Sequence, residues 1–258
     1  MTAKIKPNTQ IIGQNLVYFA RLDSTNHLAM EMHKNQIIEN GTIIYTDEQT
    51  HGRGQQQKVW ESAPYENLLF SILLKPVTNY SANPFTLNKC ITMALCNFLK
   101  EQLPSAKVNI KWPNDLMVNN KKIAGVLIEN IFSGQQLSAS VVGVGMNINQ
   151  QFGNHSNLTA TSFADIKNET VDRWMLFQQL IEKIDAYYLN MLDGDLSGIE
   201  NEFNESLIGY HETVAFEIDN QVVYAQIEGC DADGRLMISH SNVLKAYQHG
   251  GIKQLIKA

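Results

Sequence analysis

A group of short apolar segments in the middle of the chain constrains its fold most strongly. Between residues 108 and 128, three apolar segments of strand length follow one another. Asn119-Asn120 joins the second segment to the third, and asparagine tolerates the positive φ of a tight hairpin turn. The sequence therefore predicts a hairpin, and this rigid support would hold Asp115 and Lys122 close together.

The residues next to this hairpin are rich in groups that can take part in chemistry. Lys111-Trp112-Pro113-Asn114-Asp115 leads into its first strand, and Lys122-Ile123-Ala124-Gly125 opens its second. The two motifs bring together cations, an aromatic ring, an amide and a carboxylate. Charged residues also flank many ordinary hairpins, so this pattern alone suits a solvated hairpin equally well.

A second cluster lies in the polar segment 47–60, which we call the polar loop and which follows an apolar strand-like segment. It contains Gly52-Arg53-Gly54, then Lys58 and Trp60, with almost no aliphatic side chains. Such a segment is too polar to pack as core, and its glycines allow backbone N–H groups to approach an anion. A surface loop without a ligand is the alternative, but long polar loops in compact domains are often functional.

Taken in chain order, these clusters belong to a set of motifs that resembles the biotin–protein ligase family. The motifs are Asp23-Ser24-Thr25-Asn26, Gln49-Thr50-His51-Gly52-Arg53-Gly54 with Trp60, Asn67-Leu68, Lys111-Trp112-Pro113-Asn114-Asp115, Lys122-Ile123-Ala124-Gly125 and Gly143-Val144-Gly145-Met146-Asn147. The resemblance is strong over residues 17–149 and looser elsewhere. Because only about fifteen residues precede the first predicted strand, the chain resembles the monofunctional biotin–[acetyl-CoA-carboxylase] ligases that have no N-terminal DNA-binding domain.

The resemblance implies an α+β fold. Residues 1–206 are expected to form a biotin- and ATP-binding catalytic domain, in which helices flank a mixed β-sheet in the class II synthetase-like biotin/lipoate ligase fold. Residues 207–258 are expected to form a small C-terminal SH3-like β-barrel. The sequence agrees with this division, because short β-like segments separated by turn signals such as Asp219-Asn220 begin near residue 207.

The resemblance also implies a two-step reaction that uses ATP and biotin as substrates, together with Mg²⁺. The carboxylate of biotin attacks the α-phosphorus of ATP, which forms biotinyl-5′-AMP and releases pyrophosphate. The ε-amine of a lysine on a biotin carboxyl carrier protein then attacks the acyl carbon and releases AMP. Both steps bring negative charges together, so cations have to offset the repulsion.

The family motifs imply a role for each matching residue. Lys122 is expected to bridge the biotin carboxylate and the α-phosphate, and Asp115 either to carry Mg²⁺ or to orient and deprotonate the incoming lysine. With Arg53, these are the expected catalytic residues. Biotin contacts are expected from Ser24, Thr25, Asn26, Gln49, Gly52, Arg53, Gly54, Gln55, Lys122 and Gly125. Nucleotide contacts are expected from Lys58, Trp60, Asn67, Lys111, Asn114, Asp115, Gly143, Gly145 and Asn147.

For two of these assignments, the residue types in this chain add further information about the expected role. Ser24, Thr25 and Asn26 also suit the start of a helix, and the capping and binding roles are compatible. Many family members have Gly-Arg-Gly-Arg in the polar loop, whereas this chain has Gln55 as the fourth residue. An amide can hydrogen-bond the adenylate but cannot neutralise its phosphate. We therefore expect looser retention of the adenylate unless another cation compensates.

Composition narrows the class of protein. The 258 residues include 20 Lys and Arg and 26 Asp and Glu, a net charge of −6, which argues against broad nucleic-acid affinity. Three cysteines without metal-ligand spacing fit a reducing compartment. The first ten residues lack an apolar core of signal-peptide length, and no apolar run in the sequence approaches the length of a membrane span. We expect a cytoplasmic protein without membrane or nucleic-acid partners, and a homodimer and a monomer are equally compatible with the sequence.

Hydrophobic periodicity predicts the remaining elements. Long helices are predicted at residues 84–103 and 171–192. Further strands are predicted at residues 15–22, 42–46, 68–75, 137–144, 213–218, 221–228, 235–239 and 243–247. The polar residues 150–167 are expected to be irregular, in a place suited to closing over a nucleotide.

Two other functions are compatible with parts of the pattern. A lipoate or octanoate ligase on a similar scaffold would share the lysine, but it would not require the Ser24-Thr25-Asn26 set or the run that ends at Asp115. A non-catalytic biotin-binding protein would bind biotin without forming an adenylate. The presence of both Asp115 and Lys122 argues against that alternative.

Overall fold

The computed structural model describes residues 4–76, 83–153, 159–194, 196–241 and 243–255, which form two β-sheets and five α-helices. The strands are β1 (Leu16–Leu22), β2 (Ile43–Gln49), β3 (Leu68–Leu74), β4 (Val108–Lys111), β5 (Asp115–Val118), β6 (Lys121–Ser133), β7 (Gln136–Met146), β8 (Thr213–Ile218), β9 (Gln221–Cys230), β10 (Leu236–His240), β11 (Val243–Tyr247) and β12 (Lys253–Gln254). The helices are α1 (Thr25–Lys34), α2 (Pro84–Gln102), α3 (Phe163–Lys167), α4 (Arg173–Leu192) and α5 (Ser197–Glu205). No helix within these ranges is long and apolar enough to cross a membrane.

The larger sheet has seven strands in the order β1-β2-β3-β7-β6-β5-β4. Strands β1 and β2 are parallel and are joined through α1, whereas every other neighbouring pair is antiparallel. A mixed sheet flanked by helices confirms the predicted α+β fold. The predicted hairpin is also confirmed, because Asn119 and Asn120 turn between β5 and β6 with φ of 49° and 63°.

Helices cover both faces of the larger sheet. Helices α2 and α4 pack over one face, where the main hydrophobic core lies. Helix α1 covers the other face through a smaller apolar cluster that includes Ala29, Ile44 and Val141. Every residue of β3 is buried, as expected for a central strand that is covered on both sides.

The smaller sheet is antiparallel, with the order β11-β10-β9-β8-β12, in agreement with the predicted C-terminal β unit. The chain that enters it runs along the edge of the larger sheet. The Ile110 N–H donates to the Ser206 carbonyl over 2.7 Å, and the Ile208 N–H donates to the Ile110 carbonyl over 2.9 Å. The proposed domain boundary between residues 206 and 207 falls within this hydrogen-bonded stretch.

Three short elements were not predicted. Helices α3 and α5 and strand β12 have only five, nine and two residues, too few for hydrophobic periodicity to identify them. Helix α3 begins within the predicted irregular segment, where the side chain of Ser162 accepts a hydrogen bond from the Asp165 N–H over 3.0 Å. Part of that segment, residues 154–158, lies outside the described residues.

Candidate active site

A cavity of about 400 Å³ opens between the end of the larger sheet and the smaller sheet. The predicted site residues meet in it, with the exceptions of Gly52, Asn67 and Asn147. Its walls come from the start of α1, the end of β2, the polar loop, the β5–β6 hairpin and β7. Long-range topology therefore joins motifs that are far apart in the sequence.

Glycines form a flat floor for this cavity. Gly125 on β6 pairs with Gly145 on β7, two residues beyond Gly143. The indole of Trp60 lies directly on Gly145, because a Cβ there would come within 3 Å of three ring atoms. Asn26 lies on Gly143 in the same way. The bare backbone of β6 and β7 is what allows these two side chains to approach the sheet.

A network of hydroxyl and amide groups lies at the end of the cavity next to α1. The Thr25 hydroxyl and N–H donate to Oε1 of Gln49 over 3.1 and 2.8 Å. Oγ of Ser71 lies 2.7 Å from Thr25 Oγ1 and 2.6 Å from Asn26 Oδ1. Ser24 caps α1, accepting a hydrogen bond from the His27 N–H over 3.4 Å. The capping and cavity-lining roles of the Ser24-Thr25-Asn26 motif therefore coexist.

Sequence reasoning did not identify Ser71 as part of this network. The residue is fully buried in the middle of β3, where all of its neighbours in the strand are apolar. A lone hydroxyl in a buried apolar strand needs a hydrogen-bond partner. That isolated polar residue was the available signal.

The polar loop folds into a compact turn over the glycine floor. The Gly54 N–H donates to the Lys58 carbonyl over 2.7 Å, and the Trp60 N–H donates to the Gly52 carbonyl over 3.0 Å. Gly52 does not line the cavity, but a Cβ there would press against the backbone of Trp60. A guanidinium nitrogen of Arg53 lies 3.4 Å from Oε1 of Glu129 on β6. The loop therefore adopts an ordered position over the cavity through its own backbone hydrogen bonds.

Lys122 and Asp115 form an ion pair beside the floor. The distance from Nζ of Lys122 to Oδ1 of Asp115 is 2.7 Å, which confirms that the hairpin holds them together. The Lys122 N–H donates to the Thr159 carbonyl over 2.7 Å, and the Lys122 carbonyl accepts from the Thr161 N–H over 2.9 Å. The ammonium also lies 5.2 Å from the centroid of the Trp60 ring. Both the backbone and the charged end of this lysine are therefore positioned by the protein.

Several lysines surround this single carboxylate. Burial lowers the pKa of Lys111, and the charges of Lys122, Lys58 and Lys253 lower it further, whereas Asp115 raises it. The cavity lining contains these four ammonium groups and one carboxylate, so it has an excess of positive charge even though Lys253 also pairs with Glu217 outside the lining. Such a concentration of like charge favours an anionic ligand.

The smaller sheet contributes residues that no sequence motif indicated. His249, Gly250, Ile252, Lys253 and Gln254 line the cavity, together with Phe216 and Leu236. Lys253 donates to Oε2 of Glu217 over 3.0 Å and remains largely exposed.

Trp112 connects the smaller sheet to the predicted motif. Its indole N–H donates to the Gly234 carbonyl over 3.0 Å, and its ring meets that of His249 edge-on at 5.6 Å. Burial lowers the pKa of His249, and Lys58 and Lys111 contribute in the same direction, whereas Asp115 opposes them. Trp112 therefore connects the larger sheet to the smaller sheet through direct contacts.

Two predicted nucleotide contacts lie outside the cavity wall. Asn67 is buried, donates to Oε1 of Gln150 over 2.6 Å and accepts from the Ile148 N–H over 2.9 Å. Asn147 is also buried, and its amide donates to the Thr161 carbonyl over 3.0 Å. Both side chains support the backbone around the cavity. Asn114, in contrast, lines the cavity while donating to the Val126 carbonyl.

The donor set fits a metal ion that enters with a phosphate ligand. In the described ranges, no group of three or more His, Cys, Asp or Glu side chains is arranged to hold a metal. Asp115 is the carboxylate in the cavity lining. Magnesium is commonly held by one or two carboxylates together with substrate phosphates, so Asp115 would be its protein ligand here.

Comparisons with known proteins agree with the motifs. Residues 18–147 match the Biotin/lipoate A/B protein ligase family. The Bacillus subtilis protein named bifunctional ligase/repressor BirA is 28% identical over 240 residues, which cover 92% of this chain and 73% of that protein. A Paracoccus denitrificans protein named biotin–[acetyl-CoA-carboxylase] ligase is 33% identical over 130 residues, covering 50% of this chain and 52% of that protein.

The fold also matches solved structures. The biotin protein ligase from Aquifex aeolicus in complex with biotin and ATP superposes with a TM-score of 0.77 at 24% identity. The match covers 95% of this chain and 100% of that one. At this level of identity, the likeness shows that the two chains share a fold.

Replacing Gly145 with alanine is expected to weaken ligand binding in the cavity. The added methyl group would overlap the Trp60 ring, and overpacking of this kind costs about 1–3 kcal/mol. The strain can be relieved by moving Trp60 off the floor, so the affinity for ATP and biotin measured by titration calorimetry should fall about tenfold or more.

Gly134→Ala is the matched control, because Gly134 lies in an open turn with positive φ and no atom near its Cβ position. It should lower stability without changing affinity. Unchanged affinity in Gly145→Ala, with the fold verified by circular dichroism, would contradict the role given to the glycine floor.

Proposed function

Because the chain belongs to the biotin/lipoate A/B protein ligase family, we propose that its cavity is the active site of an ATP-dependent biotin–protein ligase. The enzyme activates biotin as biotinyl-5′-AMP and transfers it to a lysine of a carrier protein. One observation supports the proposal above all others. A single cavity is lined at one end by the hydroxyl and amide groups near α1, and elsewhere by several lysines, among them Lys122 in its ion pair with Asp115.

The network near α1 suits the ureido ring of biotin. A ureido group presents both N–H donors and a carbonyl acceptor, and Thr25, Asn26 and Gln49 offer both kinds of partner. The single hydroxyl proton of Ser71 faces the oxygens of Thr25 and Asn26 at similar distances. It can serve only one of them, so the network retains an acceptor for a ligand N–H.

Lys122 is the residue we propose to act in both steps. Asp115 holds the lysine ammonium in place before substrates arrive. From this position the ammonium can lie between the biotin carboxylate and the α-phosphate, where it reduces the repulsion between two anions and stabilises charge that develops at phosphorus. Arg53 and Lys58 approach the same ligand from the loop, and Lys111 approaches it from β4.

Two roles for Asp115 remain compatible with this geometry. It would hold Mg²⁺, which when bound with ATP neutralises phosphate charge. Alternatively, it would orient the ε-amine of the acceptor lysine and take its proton. In either role the carboxylate stays next to Lys122, so the two side chains act as a unit.

We propose a biotin-accepting carboxylase protein as the partner and the cytoplasm as the compartment. Three buried free thiols, Cys90, Cys96 and Cys230, fit a reducing environment. A net charge of −6 gives no support for a nucleic-acid partner. Strand β1 is an outer strand of the larger sheet, and an outer strand can pair with the same strand of a second copy in a homodimer.

Replacing Lys122 with alanine or glutamine should abolish adenylate formation. Loss of one preorganised group that stabilises transition-state charge typically lowers kcat about 10²- to 10³-fold. Biotin-dependent exchange of pyrophosphate into ATP measures this step directly. Lys121→Ala is the matched control, since Lys121 is the neighbouring lysine outside the cavity lining. Exchange near the natural rate in Lys122→Ala would remove the role assigned to this residue.

The acyl substrate can be tested without a carrier protein. Biotin should raise the thermal midpoint of the chain by mass action, whereas lipoate should not. Stabilisation by lipoate alone would identify the chain as a ligase for a different acyl group. Biotin binding without pyrophosphate exchange would indicate a binding protein.

The adenylate is expected to dissociate more slowly when Gln55 is replaced with arginine. The guanidinium would add a charge-assisted hydrogen bond to the phosphate that the amide cannot form. The measurement is the release rate of biotinyl-5′-AMP from the preformed complex. An unchanged or faster release from Gln55→Arg would contradict this expectation.

Lys253 is the cation that we expect to compensate partly for Gln55. Its position in the cavity wall allows its ammonium to turn from Glu217 toward the adenylate phosphate. Lys253→Ala should raise the release rate about two- to fivefold, as expected for a largely exposed charge pair. Lys245→Ala, an exposed lysine of β11 outside the cavity lining, should leave the release rate unchanged.

A further inference from the structure

A second cavity, of about 440 Å³, opens beside the active site. We refer to it as the side groove. The two cavities share Gln55, Pro113 and His249 in their walls. The side groove continues from there past Asn130 on β6, with the first turn of α2 on one side and Gln248 on the other. It is therefore a surface channel that leads to the active site.

Side-chain amides dominate the polar lining of this groove. Asn88 and Asn130 face it, as do Gln55 and Gln248. Oδ1 of Asn130 accepts from the Ser140 hydroxyl over 2.7 Å, and Oδ1 of Asn88 accepts from Thr92 over 3.5 Å. These contacts use the amide oxygens, and because Asn130 is exposed its NH₂ group remains available as a donor, whereas Asn88 is largely buried in the groove wall.

Charge in the groove is largely balanced. Arg235 donates to Asp231 over 2.7 Å and lies 3.2 Å from Asp233. The lysines that surround Asp115 line the active-site cavity and not this groove. A nucleotide or another polyanion therefore has little to bind here, whereas neutral amide groups pair well with the N–H and C=O groups of a polypeptide backbone.

We propose that the side groove binds the segment of the carrier protein next to its acceptor lysine. This inference rests on the proposed function, because the second step requires that lysine to enter the active-site cavity. A polypeptide in the groove can send one side chain over the shared wall at Gln55 and His249. Its main chain pairs with the amides, and Phe85 and Ile128 offer apolar contacts for the neighbouring side chains.

Substitutions that fill the side groove should impair the transfer step without impairing adenylate formation. Asn130→Trp and Gln248→Trp place bulk on two different walls, outside the active-site lining. Biotin-dependent pyrophosphate exchange should stay within about twofold of the natural rate in both variants. For transfer from the preformed adenylate to the biotin-accepting domain of a carboxylase, KM should rise at least tenfold while kcat changes little. Because the two substitutions lie on different walls, the same effect in both variants would not be explained by local misfolding of one of them.

A small nucleophile provides the internal control. Hydroxylamine attacks the acyl carbon of the adenylate, forms biotinyl hydroxamate and releases AMP, and it needs no docking surface. Its rate should be unchanged in both variants. Gln136→Trp, on an exposed residue of β7 outside the groove, should leave all three reactions unchanged.

The possible failures are distinguishable. Unchanged KM for the carrier domain in both groove variants would overturn the docking assignment. An equal loss of hydroxylamine and carrier reactions would also overturn it, because it would show damage to the chemical site. Absence of pyrophosphate exchange in the natural chain would instead overturn the proposed function.

Discussion

The close contact between two side chains and the bare backbone of β6 and β7 is the constraint on which the site depends. Trp60 and Asn26 lie against Gly145 and Gly143 at distances that no Cβ would permit. Trp60 brings the polar loop down over the cavity, and Asn26 brings the start of α1 to the sheet. The glycines therefore set the positions of two walls that come from distant parts of the chain.

Electrostatic balance in the cavity follows from that arrangement. Lys122 has Asp115 as its partner and Lys253 has Glu217, whereas Asp115 is the acidic group that offsets the neighbouring lysines at Lys111. Like charges held close together store unfavourable energy in the free protein, and an anionic ligand relieves it. Burial lowers the pKa of Lys111, and the repulsion from the neighbouring lysines lowers it further. Binding an adenylate should therefore make the cavity more stable than it is without ligand.

The smaller sheet belongs to the active site as well as to the C-terminal fold. Trp112 comes from the most specific motif of the larger sheet, yet its indole is bound by Gly234 and packs against His249. The residues after β11 then line both the active-site cavity and the side groove. The same short segment therefore forms part of the wall of both cavities.

Local patterns in the sequence predicted the longer helices, most of the strands and the hairpin that carries Asp115 and Lys122. Apolar periodicity identified α2 and α4, and Asn119-Asn120 identified the hairpin that pairs Asp115 with Lys122. These features depend on neighbours within a few residues, so they can be read without a fold. The polar loop with its glycines is a local signal of the same kind.

Only the tertiary structure showed that His249 and Lys253 line the cavity, that Ser71 hydrogen-bonds Thr25 and Asn26 behind its wall, and that Asn67 and Asn147 do not line it. Nothing in the sequence around each residue shows which distant groups it will contact. Its role depends on which strand lies beside it and on which sheet packs across the gap. Whether a polar side chain lines the cavity or is buried behind it depends on such long-range contacts. Local periodicity and turn-forming residues do not predict these contacts.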